Sequence, residues 1–289
     1  MTGRNQTILG HFCRQRRETG VLFFSQASNT SEMNDRPIGA ANVRNPTFAD
    51  VRRSLAKGVR DFRAAPMTDL FFASFFVFAG LIMGIITYVT GQTFWLVLAV
   101  MGFPLVGALA ALGFYEVSRR KEAQESAGLL DVIKVVWSHR SGQLPWLAAI
   151  IIVTFLFWFF LGHMIFALFL GLSPMTNVST SLDVFLTTEG LSMLGFGTLI
   201  GAVFSLFVFS ISVLGMPMIL DRDVDFISAM LRSIAAVRAA PFVYLGWGFL
   251  VALVTLAAMV PMFLGLFIAM PILGHATWHL YRSVTEPAE

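Results

Sequence analysis

Residues 241–281 read PFVYLGWGFLVALVTLAAMVPMFLGLFIAMPILGHATWHLY, without one Asp, Glu, Lys or Arg. As a single helix this stretch would extend about 60 Å at 1.5 Å per residue, about twice the hydrocarbon thickness of a bilayer. It reads instead as a helical hairpin that turns at Val260-Pro261, where proline cannot donate its helix hydrogen bond. Four more uncharged runs lie upstream: Leu70–Val89, Phe94–Tyr115, Pro145–Leu172 and Leu191–Leu220. A crossing takes about 20 helical residues, and each run is long enough to supply one. The expected fold is therefore an all-α, polytopic membrane bundle of six transmembrane helices.

Composition agrees. Of 289 residues only 13% are charged, about half the usual share of a soluble domain, while 56% are hydrophobic. Mean hydropathy is +0.75. A soluble globular enzyme and a disordered chain are both excluded. The one cysteine, Cys13, leaves no disulfide framework, CxxC redox pair or Cys-rich metal site. A net charge of +3 is too small to read as a nucleic-acid surface, and no nucleic-acid partner is expected.

The basic residues give the orientation. Eleven of the twenty precede the first span, and Arg119, Arg120, Lys121, Lys134 and Arg140 lie between spans two and three. Arg222, Arg232 and Arg238 separate spans four and five, Arg282 follows span six, and the opposite loops hold none. The positive-inside rule then places both termini in the cytoplasm. Three regions are expected: a disordered cytoplasmic tail (1–45), a six-span membrane domain (46–284) and a short cytoplasmic tail (285–289). The first is polar, and its apolar run Val21–Phe24 is too short for a signal-peptide core; Met33 is an alternative start.

Within the membrane domain a pattern recurs. Phe48, Val51, Leu55, Val59 and Phe62 fall at helical spacing, with Asp50, Arg52, Arg53, Lys57 and Arg60 between them, and the run closes on Arg63-Ala64-Ala65-Pro66. Ile227, Met230, Leu231, Ile234 and Val237 repeat that spacing and close on Arg238-Ala239-Ala240-Pro241. Leu130, Ile133, Val136 and Trp137 form a weaker copy before Pro145. The reading is three repeats (about 46–118, 126–220 and 223–283), each an amphipathic helix followed by a helical hairpin. Each amphipathic helix should lie in the cytoplasmic headgroup layer. Arg52, Arg53, Lys57, Arg60, Arg63 and Arg238 are the expected basic face toward anionic headgroups of the lipid bilayer. The outline of three two-span units is shared with mitochondrial carriers, but here the prolines precede the odd helices and the carrier motif is absent.

Other motifs read as packing or capping. Gly80-x-x-x-Gly84 and Gly197-x-x-x-Gly201 suit close helix approach. Asp223 or Asp225 suits an N-cap of the third amphipathic helix rather than a calcium loop, whose sixth and twelfth positions are Phe226 and Arg232 here. His275 and His279 share one helix face, and they are the candidates for binding a haem or metal. His163 lies at a different expected depth and cannot join them. No metal site, cofactor or catalytic residue is assigned, since HExxH and any nucleophile–base arrangement are lacking.

Three stretches carry a family resemblance: Gly113–Arg120 (GFYEVSRR), Met216–Asp225 (MPMILDRDVD) and Pro271–Arg282 (PILGHATWHLYR). Together they resemble the bacterial predicted integral membrane proteins grouped as domain-of-unknown-function family 2189, over about residues 46–284. The resemblance implies a bacterial inner-membrane protein and brings no reaction or catalytic residues. Some members carry the label cytochrome c oxidase subunit I; five histidines and six spans do not suit that role. The expected function is a non-enzymatic accessory or scaffold protein of the inner membrane, associated with other membrane proteins such as respiratory complexes. The alternatives are a small-molecule or lipid transporter and, more weakly, a haem- or metal-binding redox protein.

Overall fold

A computed structural model describes residues 43–91, 111–139, 142–171 and 186–285. Residues 1–42, most of the expected tail, and 92–110, most of the expected second span, lie outside the described residues. All extended elements that are described are helices: α1 (Phe48–Ala64), α2 (Pro66–Thr90), α3 (111–122), α4 (Leu129–Ser138), α5 (Leu144–Leu170), α6 (Thr188–Ser212), α7 (Gly215–Asp221), α8 (Phe226–Ala239), α9 (Pro241–Met259) and α10 (Leu266–Val284).

Four of these are long and apolar enough to cross a membrane: α2, α5, the run Thr188–Asp221 through α6 and α7, and α9. The expected sixth crossing is not among them. Its helix, α10, carries Pro271, His275, His279 and Arg282, which dilute its apolar character, and most of its surface from Ala269 onward is buried in protein.

Short helices run straight into long ones through proline. Pro66 opens α2, Pro145 lies in the first turn of α5, and Pro241 opens α9. Proline at this position loses nothing, because the first N–H groups of a helix have no intrahelical acceptor. The caps follow the sequence. Thr47 and Asp50 form a reciprocal capping box on α1, and the Asp225 carboxylate accepts from the Ser228 N–H on α8. The turn between α9 and α10 falls at Val260–Gly265, with Met262 and Phe263 in the left-handed region.

The core surrounds α10, which packs chiefly on α1 and α2, while α5 pairs with α6. One apolar cluster joins Tyr115, Leu147, Tyr244, Trp247, Trp278 and Tyr281; a second joins Phe72, Phe76, Phe114, Val132, Phe263 and Leu266. Gly80 lies against the Phe263 ring, so the first GxxxG does serve internal packing. The second does not mirror it: Gly197 faces open space, and Gly201 meets only Trp158 at ordinary contact distance. Val43 pairs with Thr285 in an antiparallel bridge, and the Arg44 N–H donates to the Val284 carbonyl at 2.8 Å. Both ends of the described chain therefore meet.

Candidate functional site: a buried carboxylate–imidazole chain

The site begins with the face that α1 buries. Its apolar residues Val51, Leu55, Val59 and Phe62 are only half covered and Phe48 is exposed, whereas Asp50, Ser54, Gly58 and Asp61 are buried. Asp50 thus leaves the polar surface where the helical spacing had placed it and belongs to this inner face. Gly58 makes the approach to α10 close: a Cβ there would stand 2.7 Å from the Ile272 carbonyl oxygen and 2.9 Å from the Ala276 nitrogen. With the two backbones this near, Asp61 reaches the histidines of α10.

His279 Nε2 lies 2.6 Å from Asp61 Oδ2, and His275 Nε2 lies 3.0 Å from Asp69 Oδ2 in the first turn of α2. Ser118 on α3 connects the two pairs, its hydroxyl 2.7 Å from Asp61 Oδ2 and 2.9 Å from His275 Nδ1. The other nitrogen of His279 faces Glu122 Oε1 at 3.3 Å, an ion-pair contact without hydrogen-bond alignment. Glu122 also accepts from Trp278 Nε1 at 3.3 Å and pairs with Arg282 at 3.1 Å. Arg282 continues to Asp221, which accepts from the Tyr281 hydroxyl at 2.7 Å. Nearby, the fully buried Glu116 is held by Arg119 and Arg120, each at 2.7 Å.

Burial works against ionising Asp61, but the hydrogen bonds from His279 and Ser118 outweigh it and hold the carboxyl below its ordinary range. Glu122 shows the same balance, with His279 and Arg282 overcoming the cost of burial. Lys121 is pushed below the usual lysine value by burial; its ammonium donates to the Asp61 backbone carbonyl. A cleft of about 450 Å³ opens beside it, lined by Ala64 to Thr68, Lys121, Glu125 and Ala127.

His275 and His279 are thus brought together with four residues that sequence reading did not select: Asp61, Asp69, Ser118 and Glu122. Every ring nitrogen of the two histidines faces a carboxylate or hydroxyl. Among the described residues no group of three or more His, Cys, Asp or Glu is arranged to hold a metal ion. His163 stands apart on α5, its Nδ1 2.9 Å from the Phe159 carbonyl. The basic residues Arg52, Arg53, Lys57, Arg60, Arg63 and Arg238 are exposed on α1 and α8 and take no part in the chain.

No curated protein and no solved structure matches this chain. A family model described as predicted integral membrane protein (DUF2189) matches residues 96–221. That stretch contains Glu116, Ser118, Glu122 and Asp221; Asp61, Asp69 and both histidines of α10 lie outside it. Over residues 96–221 the match bears out the resemblance read from the sequence, and there the chain is similar to a family of predicted integral membrane proteins.

Proposed function

We propose that this integral membrane protein is a non-enzymatic accessory or scaffold protein of the bacterial inner membrane, with six crossings built from three repeats. Its three short helices lie at the cytoplasmic surface, facing anionic headgroups and partner proteins such as respiratory complexes. One observation carries this reading. All three short helices leave bulky apolar side chains exposed: Phe48 on α1, Leu130 and Trp137 on α4, and Ile227 and Leu231 on α8. Helices that leave large apolar and basic side chains outward suit the boundary between acyl chains and headgroups.

An even number of crossings has support in the meeting of Val43 with Thr285. A chain whose ends adjoin crosses an even number of times. If α9 crosses, α10 must return, because its end meets Val43. The charge asymmetry then puts both ends in the cytoplasm. Against a transporter, the interiors of the four candidate spans hold no Asp, Glu, Lys or Arg.

Purification in mild detergent tests the proposal. A scaffold should bring a stoichiometric membrane partner through two affinity steps. A colourless protein that arrives alone and moves a solute across liposomes would replace the scaffold with a transporter. A Soret band would replace it with a haem protein. Reporter fusions after Glu289 test the topology, and a strong periplasmic signal there would overturn it.

A further inference from the structure

Five contacts join Asp69 to Glu122 in one line: Asp69–His275 at 3.0 Å, His275–Ser118 at 2.9 Å, Ser118–Asp61 at 2.7 Å, Asp61–His279 at 2.6 Å and His279–Glu122 at 3.3 Å. Each contact sets one lone-pair atom against another, and is attractive only with a proton between them. A serine hydroxyl supplies one proton, a neutral imidazole one, and an ionised carboxylate none. Ser118, His275 and His279 in their neutral forms thus supply one proton fewer than the four aligned hydrogen bonds need. The fifth contact is not aligned as a hydrogen bond and sets no such requirement. Ser118 has a single proton and donates it to Asp61, so His275 must use Nδ1–H toward Ser118. The added proton then sits between His275 Nε2 and Asp69.

Surrounding charge points the same way. Asp61 faces the histidines from α1, Asp69 from α2, and Glu122 and Lys121 from α3; Arg282 on α10 adjoins Glu122, with Asp221 and Arg222 beyond it. Four carboxylates meet three permanent cations, and one bound proton closes the difference. His275 and Asp69 are wholly buried, and Asp69 Oδ1 has no partner, so the line ends there. At the other end the Glu122 side chain is 31% exposed.

We infer that this line is a proton-binding site, filled from the aqueous phase through Glu122, with one exchangeable proton held between Asp69 and His275. Along α2 beyond its first turn no Asp, Glu, His, Lys or Arg continues the line, so the site is read as one that binds a proton rather than passes it across. The site stands independently of the scaffold reading.

The test uses the full chain in lipid nanodiscs, with His11→Gln, His139→Gln and His163→Gln leaving only the two histidines of α10. Ring-nitrogen NMR reports imidazolium, and infrared spectroscopy reports protonated carboxyl groups. At neutral pH the expected result is one added proton, seen as a doubly protonated ring or a protonated carboxyl band. Asp69→Asn should remove it, and Glu122→Gln should slow its exchange with water. Two singly protonated rings with no protonated carboxyl band would overturn the inference, as would a signal that Asp69→Asn does not remove. The unsubstituted network decides the matter even if Asp69→Asn fails to fold, and Glu122→Gln lies at a partly exposed position.

Discussion

The α5–α6 hairpin and the end built by α1, α3 and α10 solve the membrane problem in opposite ways. In the hairpin, Val153, Phe157, Phe160, Leu199, Val203 and Phe207 are exposed, and Gly162, Gly195 and Gly197 meet nothing. Its polar side chains bond within their own helix, as Thr154 does to the Ile150 carbonyl. In the other region Asp69, Glu116, Ser118 and His275 are fully covered, and bonds span more than 200 residues of chain. Lipid is as apolar as leucine, so a span gains little by hiding its apolar surface. Length holds the hairpin in the bilayer; directional bonds fix the three-helix end.

The largest effect should follow from removing Asp61, the residue that both Ser118 and His279 contact. Asp61→Ala leaves buried polar partners uncompensated, and breaking such a pair costs about 3–5 kcal/mol. Unfolding in mixed micelles should show a loss of that size. His163→Ala in the hairpin removes a contact to its own helix turn, at Phe159, and should cost about 1 kcal/mol or less. Equal losses at the two positions would erase the contrast.

Two glycines sharpen it. Gly58→Ala drives a Cβ into the backbone of α10, which cannot swing aside as a side chain would. An overpacking cost of about 1–3 kcal/mol is expected. Gly197→Ala meets open space in the middle of α6, so it should be neutral or gain up to about 1 kcal/mol from helix propensity. The same micelle unfolding measures both. A loss at Gly197 would mean that another surface occupies that face.

Much of the architecture was legible because it is local. Apolar length marked the spans, proline marked the starts of α2, α5 and α9, and Asp225 marked the cap of α8. The face shared by His275 and His279 was equally visible from their spacing. Their partners were not: Asp69 lies 206 residues from His275, and Asp61 lies 218 from His279. A signal did exist in Asp50, Ser54, Gly58 and Asp61, small or acidic residues that recur at helical steps. The basic residues of α1 masked it, because acid beside arginine reads as a solvated face. Helix 111–122 was read only as far as Tyr115, the end of the expected second span, since Glu116 and Glu122 beyond it stand among basic residues that break the apolar run.

Asp50 tests the rim of the polar end. The Arg44 guanidinium first of all, aided by Thr47, lowers its carboxyl to about 2 despite the opposing effect of burial. Its folded value is depressed, so its contribution is complete above the ordinary 3.8 and disappears as pH falls through about 2. Asp50→Asn weakens the capping box and should cost about 1 kcal/mol near neutrality. The difference between parent and variant should vanish toward pH 2. A pH-independent difference would show that the cap holds without the charge.

The smallest effect on folding is expected where the charge is greatest. Arg52, Arg53, Lys57 and Arg60 are exposed on α1, outside the buried chain. Reversing them to glutamate should change unfolding stability by no more than about 0.5 kcal/mol per site, the usual range for surface positions. What should change is the seat of α1 on the membrane, where each basic residue near an anionic leaflet is worth about 1 kcal/mol. Phe48 and Ala56 are both exposed on α1, the first on its apolar side and the second beside Lys57. Single cysteines at these positions, placed in a Cys13→Ser background, report on the two sides through a water-soluble thiol reagent. In anionic nanodiscs the parent should label slowly at position 48 and quickly at 56, because lipid covers the first side chain and water the second. After charge reversal position 48 should label as quickly as 56, while raised salt should move the parent partway to that pattern. Equal labelling in the parent would mean that α1 stands clear of the lipid, held only by Gly58 and Asp61 against α10.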